Sequence, residues 1–222
     1  MKVRERSAVA IEGARRLLAS LGVLRPEELD VELVAAALDA FVIWRELSGN
    51  EEGHILRGDR ASIVHVRAAL RGTTKGRFVV AHEIGHHVLH SEVDHFAQCT
   101  AEGVASGSRF RIEREASDFA SELLVPTFMA EDMCVRASLA DVLALAKRFD
   151  VSFTVAALRF LDMTAAPCAF VETRAGRVKR ASGTLAFRGE AIRGRVFEPP
   201  ADCAVETLPV EGTDVVLAWL TQ

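Results

Sequence analysis

The sequence contains no tyrosine and only two tryptophans, so no phenol is available at any site as an acid or hydrogen-bond donor. Its four cysteines, Cys99, Cys134, Cys168 and Cys203, are far apart and form no C-x-x-C pair. That spacing indicates neither a disulfide scaffold nor a cysteine zinc site, leaving reduced, mostly buried thiols as the expectation. No run of eighteen apolar residues occurs, so no membrane-spanning helix and no membrane partner are predicted. The first residues, "MKVRERSAVAIEGARR", lack the apolar core of an export signal, which predicts a soluble, cytoplasmic protein. A net charge of −4 with a pI near 6.0 provides no positive field for phosphate backbones, and direct DNA binding is not expected.

What is present is a chain of 222 residues, half of them hydrophobic, enough to bury a sizeable core. Apolar residues from Ala8 to Leu21 recur at helical spacing and stop at Gly22. A second helix follows "RPEELD". The short runs "FVIW", "HILR" and "SIVHV" read as a small antiparallel sheet. Two further helices are predicted over "RFVVAHEIGHHVLH" and "RIEREASDFASELLV", the second stopped by Pro126. Between them, 91–109 is a long polar connection, a candidate rim or lid of a cleft. Residues 137–163 read helix, turn, helix, and from Pro167 the segments "CAFVE", "GTLAF", "GRVF" and "VVLAWL" carry strand signals. The predicted class is α+β, divided as 1–136, 137–165 and a small β-rich unit at 166–222.

Four of the seven histidines, His82, His86, His87 and His90, fall within "FVVAHEIGHHVLH". In H-E-x-x-H on a helix, His82 and His86 stand one turn apart on the same face, so two imidazoles can converge on one ion. Glu83 lies about 100° around the helix, where its carboxylate can reach a water at that ion without joining the ligand set. With three protein ligands, zinc keeps a fourth position for water, and peptide hydrolysis is the reaction this arrangement serves. One Zn2+ per chain is expected, although the ligand type also suits Mn2+ and other divalent ions. His87 and His90 are assigned structural or outer-sphere roles. Cys99, between the two halves of the site, is a candidate for a regulatory thiolate.

No third histidine follows at the spacing of longer zinc motifs, so a downstream carboxylate must complete the set. Glu113 precedes the small-residue side formed by Ala116, Ser117 and Ala120 and is the preferred ligand; Glu115, aligned with Asp118, Phe119 and Glu122, is its rival. Without tyrosine, oxyanion stabilisation falls to His54, His65, His95, Arg109 or Arg111.

The pair "RFVVAHEIGHHVLH" and "EREASDFASELLVP" resembles the ImmA/IrrE-type zinc metallopeptidases. The resemblance implies a zincin-like core over 1–136, zinc held by His82, His86 and Glu113, and Glu83 as catalytic base. It further implies a protein substrate, a helix-turn-helix transcriptional repressor cleaved at a defined site to relieve repression in a stress or mobile-element response. The alternative is a non-proteolytic regulator or binding module that retains the metallopeptidase fold. Residues 137–163 resemble the helix-turn-helix unit of that family, but their basic and acidic residues balance, which favours helix packing or substrate docking over DNA reading. The tail is basic from Arg174 to Arg195 and acidic after Val196, a distribution read as solvated faces.

Overall fold

The computed structural model describes residues 6–90, 107–184, 193–199, 201–210 and 213–220. Contacts divide them into two units, one of residues 6–129 with 149–151, the other of 130–148 with 152 onward.

The first unit opens with helix α1 (Ala8–Ser20), which buries Ala10, Ala14, Leu17 and Leu18 along one stripe. Gly22, at φ +67°, takes the left-handed conformation that ends the helix, and the Val23 N–H then donates to the Leu18 carbonyl. Helix α2 (Val31–Ala36) starts where the Asp30 carboxylate accepts from the backbone N–H groups of Glu32 and Leu33. Strands β1 (Ala40–Arg45), β2 (Gly53–Arg57) and β3 (Ser62–Arg67) form a sheet in the order β1-β3-β2.

The expected antiparallel pairing holds only for β2 with β3; β1 pairs with β3 in parallel, which corrects the sequence reading. The cause is the tight 58–61 turn, closed by the Gly58 N–H on the Ala61 carbonyl, which places β3 beside β2. The longer connection from β1 then lets β1 reach the far side of β3, and β2 is left with a free edge among the described residues.

Helix α3 (Thr74–Leu89) is capped by the Thr73 hydroxyl, which accepts from the Gly76 N–H. It buries Val79, Val80, Ala81, Glu83, Ile84, Gly85 and His86, so it is enclosed on most sides. Helix α4 (Gly107–Leu124) packs against it along Ala116, Phe119 and Ala120, all fully buried. A Cβ on Gly85 would stand 3.0 Å from the Ala116 carbonyl oxygen and 3.1 Å from its Cα, so glycine permits this close approach. The C-terminal half of α4 is anchored to α1. The fully buried Glu122 accepts from Arg6 (3.1 Å), Arg15 (3.0 Å) and Thr127, and Asp118 accepts from the Ser7 N–H at 2.9 Å. A short helix, α5 (Thr127–Ala130), follows Pro126.

Helix α6 (Leu139–Phe149) leads to α7 (Phe153–Met163), as the helix, turn, helix reading predicts. In the second unit, strands β4 (Cys168–Arg174), β5 (Arg177–Gly183), β6 (Cys203–Val210) and β7 (Thr213–Leu220) form an antiparallel sheet in the order β5-β4-β7-β6. Phe153 and Phe160 of α7 each meet Phe170 of β4 edge-on, with ring centroids 6.2 Å apart. Of the predicted strand segments here, "GRVF" forms a turn at Gly194 with one isolated bridge, Arg177 to Val196, and "GTLAF" runs largely outside the described residues. The molecule is thus α+β, and among the described residues no helix is long and apolar enough to cross a membrane.

Candidate metal centre

The histidine segment lies on α3 and the carboxylate segment on α4, and the close helix approach that Gly85 permits beside Ala116 brings their polar faces together. His82 Nε2 and His86 Nε2 are 3.0 Å apart. Glu113 Oε2 stands 3.2 Å from His82 Nε2 and 3.7 Å from His86 Nε2. These three side chains offer ligand atoms within 4.8 Å of one another and could hold a metal ion. For bonds of about 2.05 Å the edge of a tetrahedron is about 3.3 Å, so the three separations fit a single tetrahedral face. Glu115, the rival carboxylate, reaches His90 instead, at 3.0 Å.

The outer nitrogens of both imidazoles are occupied, which directs the inner ones. Ser117 Oγ donates to the Glu113 carbonyl at 2.8 Å, so it can accept from His82 Nδ1 at 3.3 Å. His86 Nδ1 faces His90 Nδ1 at 3.2 Å. Two Nε2 lone pairs and a carboxylate oxygen are then left facing each other, an arrangement that requires a cation or a proton between them. When a proton takes that place, hydrogen bonding from His82 and then from His86 holds the Glu113 carboxyl well below the ordinary carboxylate range, while burial pulls His86 below the usual histidine value. Neutral imidazoles beside an ionised carboxylate are the donor set a divalent ion needs.

Glu83 lies beside this group and is 7% exposed. Burial pushes its carboxyl up to about 7, opposed by His82 and reinforced by Glu113 and Glu51. Strand β2 comes close over it: a Cβ on Gly53 would stand 2.5 Å from Val79 Cγ1 and 3.6 Å from Glu83 Oε1. The Arg57 guanidinium, from the same strand, donates to the His86 carbonyl at 2.7 Å. The resulting open cleft, of about 570 Å³, is lined by Gly53, His54, Ile55 and Phe78 together with His82, Glu83, His86 and Glu113.

Of the oxyanion candidates, His54 lines the cleft, but its ring nitrogens meet Glu51 Oε1 at 2.9 Å and His65 Nδ1 at 3.0 Å. His65 sits behind it, 8% exposed, its pKa lowered by burial. Arg111 lies 3.9 Å from Glu115 on an exposed surface. His95 and Cys99 lie outside the described residues, as do the Arg109 side chain and nearly all of the connection proposed as a lid. Cys134 and Cys168 are buried, and burial pushes their thiols up to about 11 and about 12, which suits inert packing groups. Sequence reasoning missed the contacts of Ser117, Arg57 and Glu51, because each joins elements distant in the chain.

No curated protein matches the chain significantly. A solved structure described as a Mycobacterium tuberculosis transcriptional regulator is similar in fold, with a TM-score of 0.60 at 15% identity, over 97% of this chain and 88% of that one. Residues 39–161, which include the β1–β3 sheet and both site helices, match the model of a peptidase family described as the IrrE N-terminal-like domain, and the chain belongs to that family.

Proposed function

We propose that the chain is a zinc-dependent endopeptidase that cuts a partner protein at a defined site, the partner being a helix-turn-helix transcriptional repressor. The observation that carries this reading is the convergence of His82 Nε2, His86 Nε2 and Glu113 Oε2 within 3.7 Å beside a buried Glu83. His82, His86 and Glu113 would hold the ion, and nitrogen and carboxylate donors suit zinc, with manganese the next choice. When bound, the ion supplies a Lewis acid that polarises the scissile carbonyl and acidifies water.

Glu83 moves the proton: it accepts one from the attacking water and delivers it to the departing amine. A carboxyl with a value near 7 can do both at neutral pH. The edge of β2, free among the described residues, lines the cleft at Gly53, His54 and Ile55, so an extended substrate segment can pair with it through main-chain hydrogen bonds. That mode suits a loop or linker of a folded protein.

A second reading, a non-proteolytic regulator, draws on the fold shared with a protein described as a transcriptional regulator. The two separate on cutting. Zinc-loaded protein is incubated with a helix-turn-helix repressor encoded beside it, and mass spectrometry follows the products. A single defined cut, lost in Glu83→Gln while zinc content is kept, is the expected result. An intact repressor that still associates with the chain favours the regulator.

A further inference from the structure

We propose that His90 and Glu115 are positioning residues that fix the proton of His86 on Nδ1 and so keep Nε2 bare for the metal; this rests on the metal centre assigned above. His86 and His90 are 3% and 6% exposed, so their ring nitrogens must find partners within the protein. The bonding sequence is then forced from one end. Glu115 Oε2, 3.0 Å from His90 Nε2, is a carboxylate oxygen that only accepts, so His90 carries its proton on Nε2. The two Nδ1 atoms are 3.2 Å apart, so only one of them can carry the proton between them, and with His90 already donating from Nε2 that proton is assigned to His86. Its remaining nitrogen, Nε2, has no proton and faces His82 and Glu113.

The two histidines of the centre are thus oriented differently. His82 leans on a neutral hydroxyl, Ser117, whereas the His86 chain ends in a carboxylate that makes the imidazole a stronger donor. His87, the adjacent histidine, takes no part: its Nε2 meets the Leu38 carbonyl at 3.1 Å and its Nδ1 lies 3.4 Å from Ser62 Oγ. The third turn of the segment thus carries a functional histidine in His90, while His87 serves packing.

The full chain with 15N-labelled histidine tests the inference in two ways. Long-range 1H–15N spectra of the metal-free protein are expected to show His86 protonated on Nδ1 and His90 on Nε2. Zinc affinity, read by competition with a chromophoric chelator, is expected to fall about 10–100-fold in Glu115→Ala and His90→Phe, less in Glu115→Gln, and not at all in His87→Gln. Circular dichroism identifies which variants retain the fold, and Glu115→Gln preserves side-chain volume if the larger changes do not. His86 protonated on Nε2, or folded Glu115 variants with wild-type affinity, would overturn the relay. Failure of the wild type to take up one zinc would instead sink the metal centre, and the spectra would still read the proton positions.

Discussion

Glu113 Oε2 and His82 Nε2 approach to 3.2 Å from positions 31 residues apart, on two different helices. Removing the carboxylate in Glu113→Ala is expected to abolish stoichiometric zinc binding, a larger loss than the about 10–100-fold typical of an outer partner. Zinc titration of the purified variant checks this. Unchanged affinity would mean that the ion sits elsewhere.

Glu83 makes stability depend on pH in the metal-free protein. Its folded value of about 7 lies above the ordinary 4.5. Between those values the folded state keeps a proton that the unfolded state has released, so this contribution is full below about 4.5 and is lost as pH rises through about 7. Glu83→Gln removes that loss. Its unfolding free energy relative to wild type is expected to rise on the order of 2–3 kcal/mol between pH 4.5 and 8, by urea titration in chelator. A difference that stays flat with pH would contradict the burial argument.

Gly85→Val tests the spacing of α3 and α4. Its Cβ alone would meet the Ala116 backbone at 3.0 Å, and backbone gives less readily than a side-chain tip. Overpacking of this kind costs about 1–3 kcal/mol. Because α4 also carries Glu113, zinc affinity should fall together with stability; a variant that loses neither would show that the helices can part freely.

At the other end of α4, Glu122→Ala leaves Arg6 and Arg15 without their shared carboxylate. The Arg6 side chain is 11% exposed and Glu122 fully buried, so breaking the group should cost roughly 3–5 kcal/mol in urea unfolding. A loss under about 1 kcal/mol would place the network among ordinary surface pairs.

Both imidazoles of the centre were legible in the sequence because their spacing belongs to one helix, and local geometry alone turns His82 and His86 to one side. The small residues Ala116, Ser117 and Ala120, which let α4 come close, favour Glu113 over Glu115 on physical grounds, and Glu113 lies beside both histidines. Less could be read where elements from distant parts of the chain meet. Nothing in "FVIW" or "SIVHV" indicates that β1 would lie parallel to β3, since that depends on which edge remains after the β2–β3 turn closes. Strands β5 and β6 escaped notice for a different reason: "RVKRASG" is mostly polar, and "CAVETLPV" contains Pro209, tolerated because β6 is an edge strand.

The anchoring of α4 has a mechanical consequence. The helix is gripped at Asp118 and Glu122 and carries Glu113 toward its other end, with a side chain 48% exposed. At about 1.5 Å per residue Glu113 stands roughly 4–5 Å along the axis from Ala116, whose backbone packs against Gly85. So short an overhang is stiff: a tilt of about 5° about Ala116 moves that point of the helix by less than about 0.5 Å. The carboxylate offered as third ligand is therefore positioned by the packing of the helix that carries it, the same close contact that Gly85 permits.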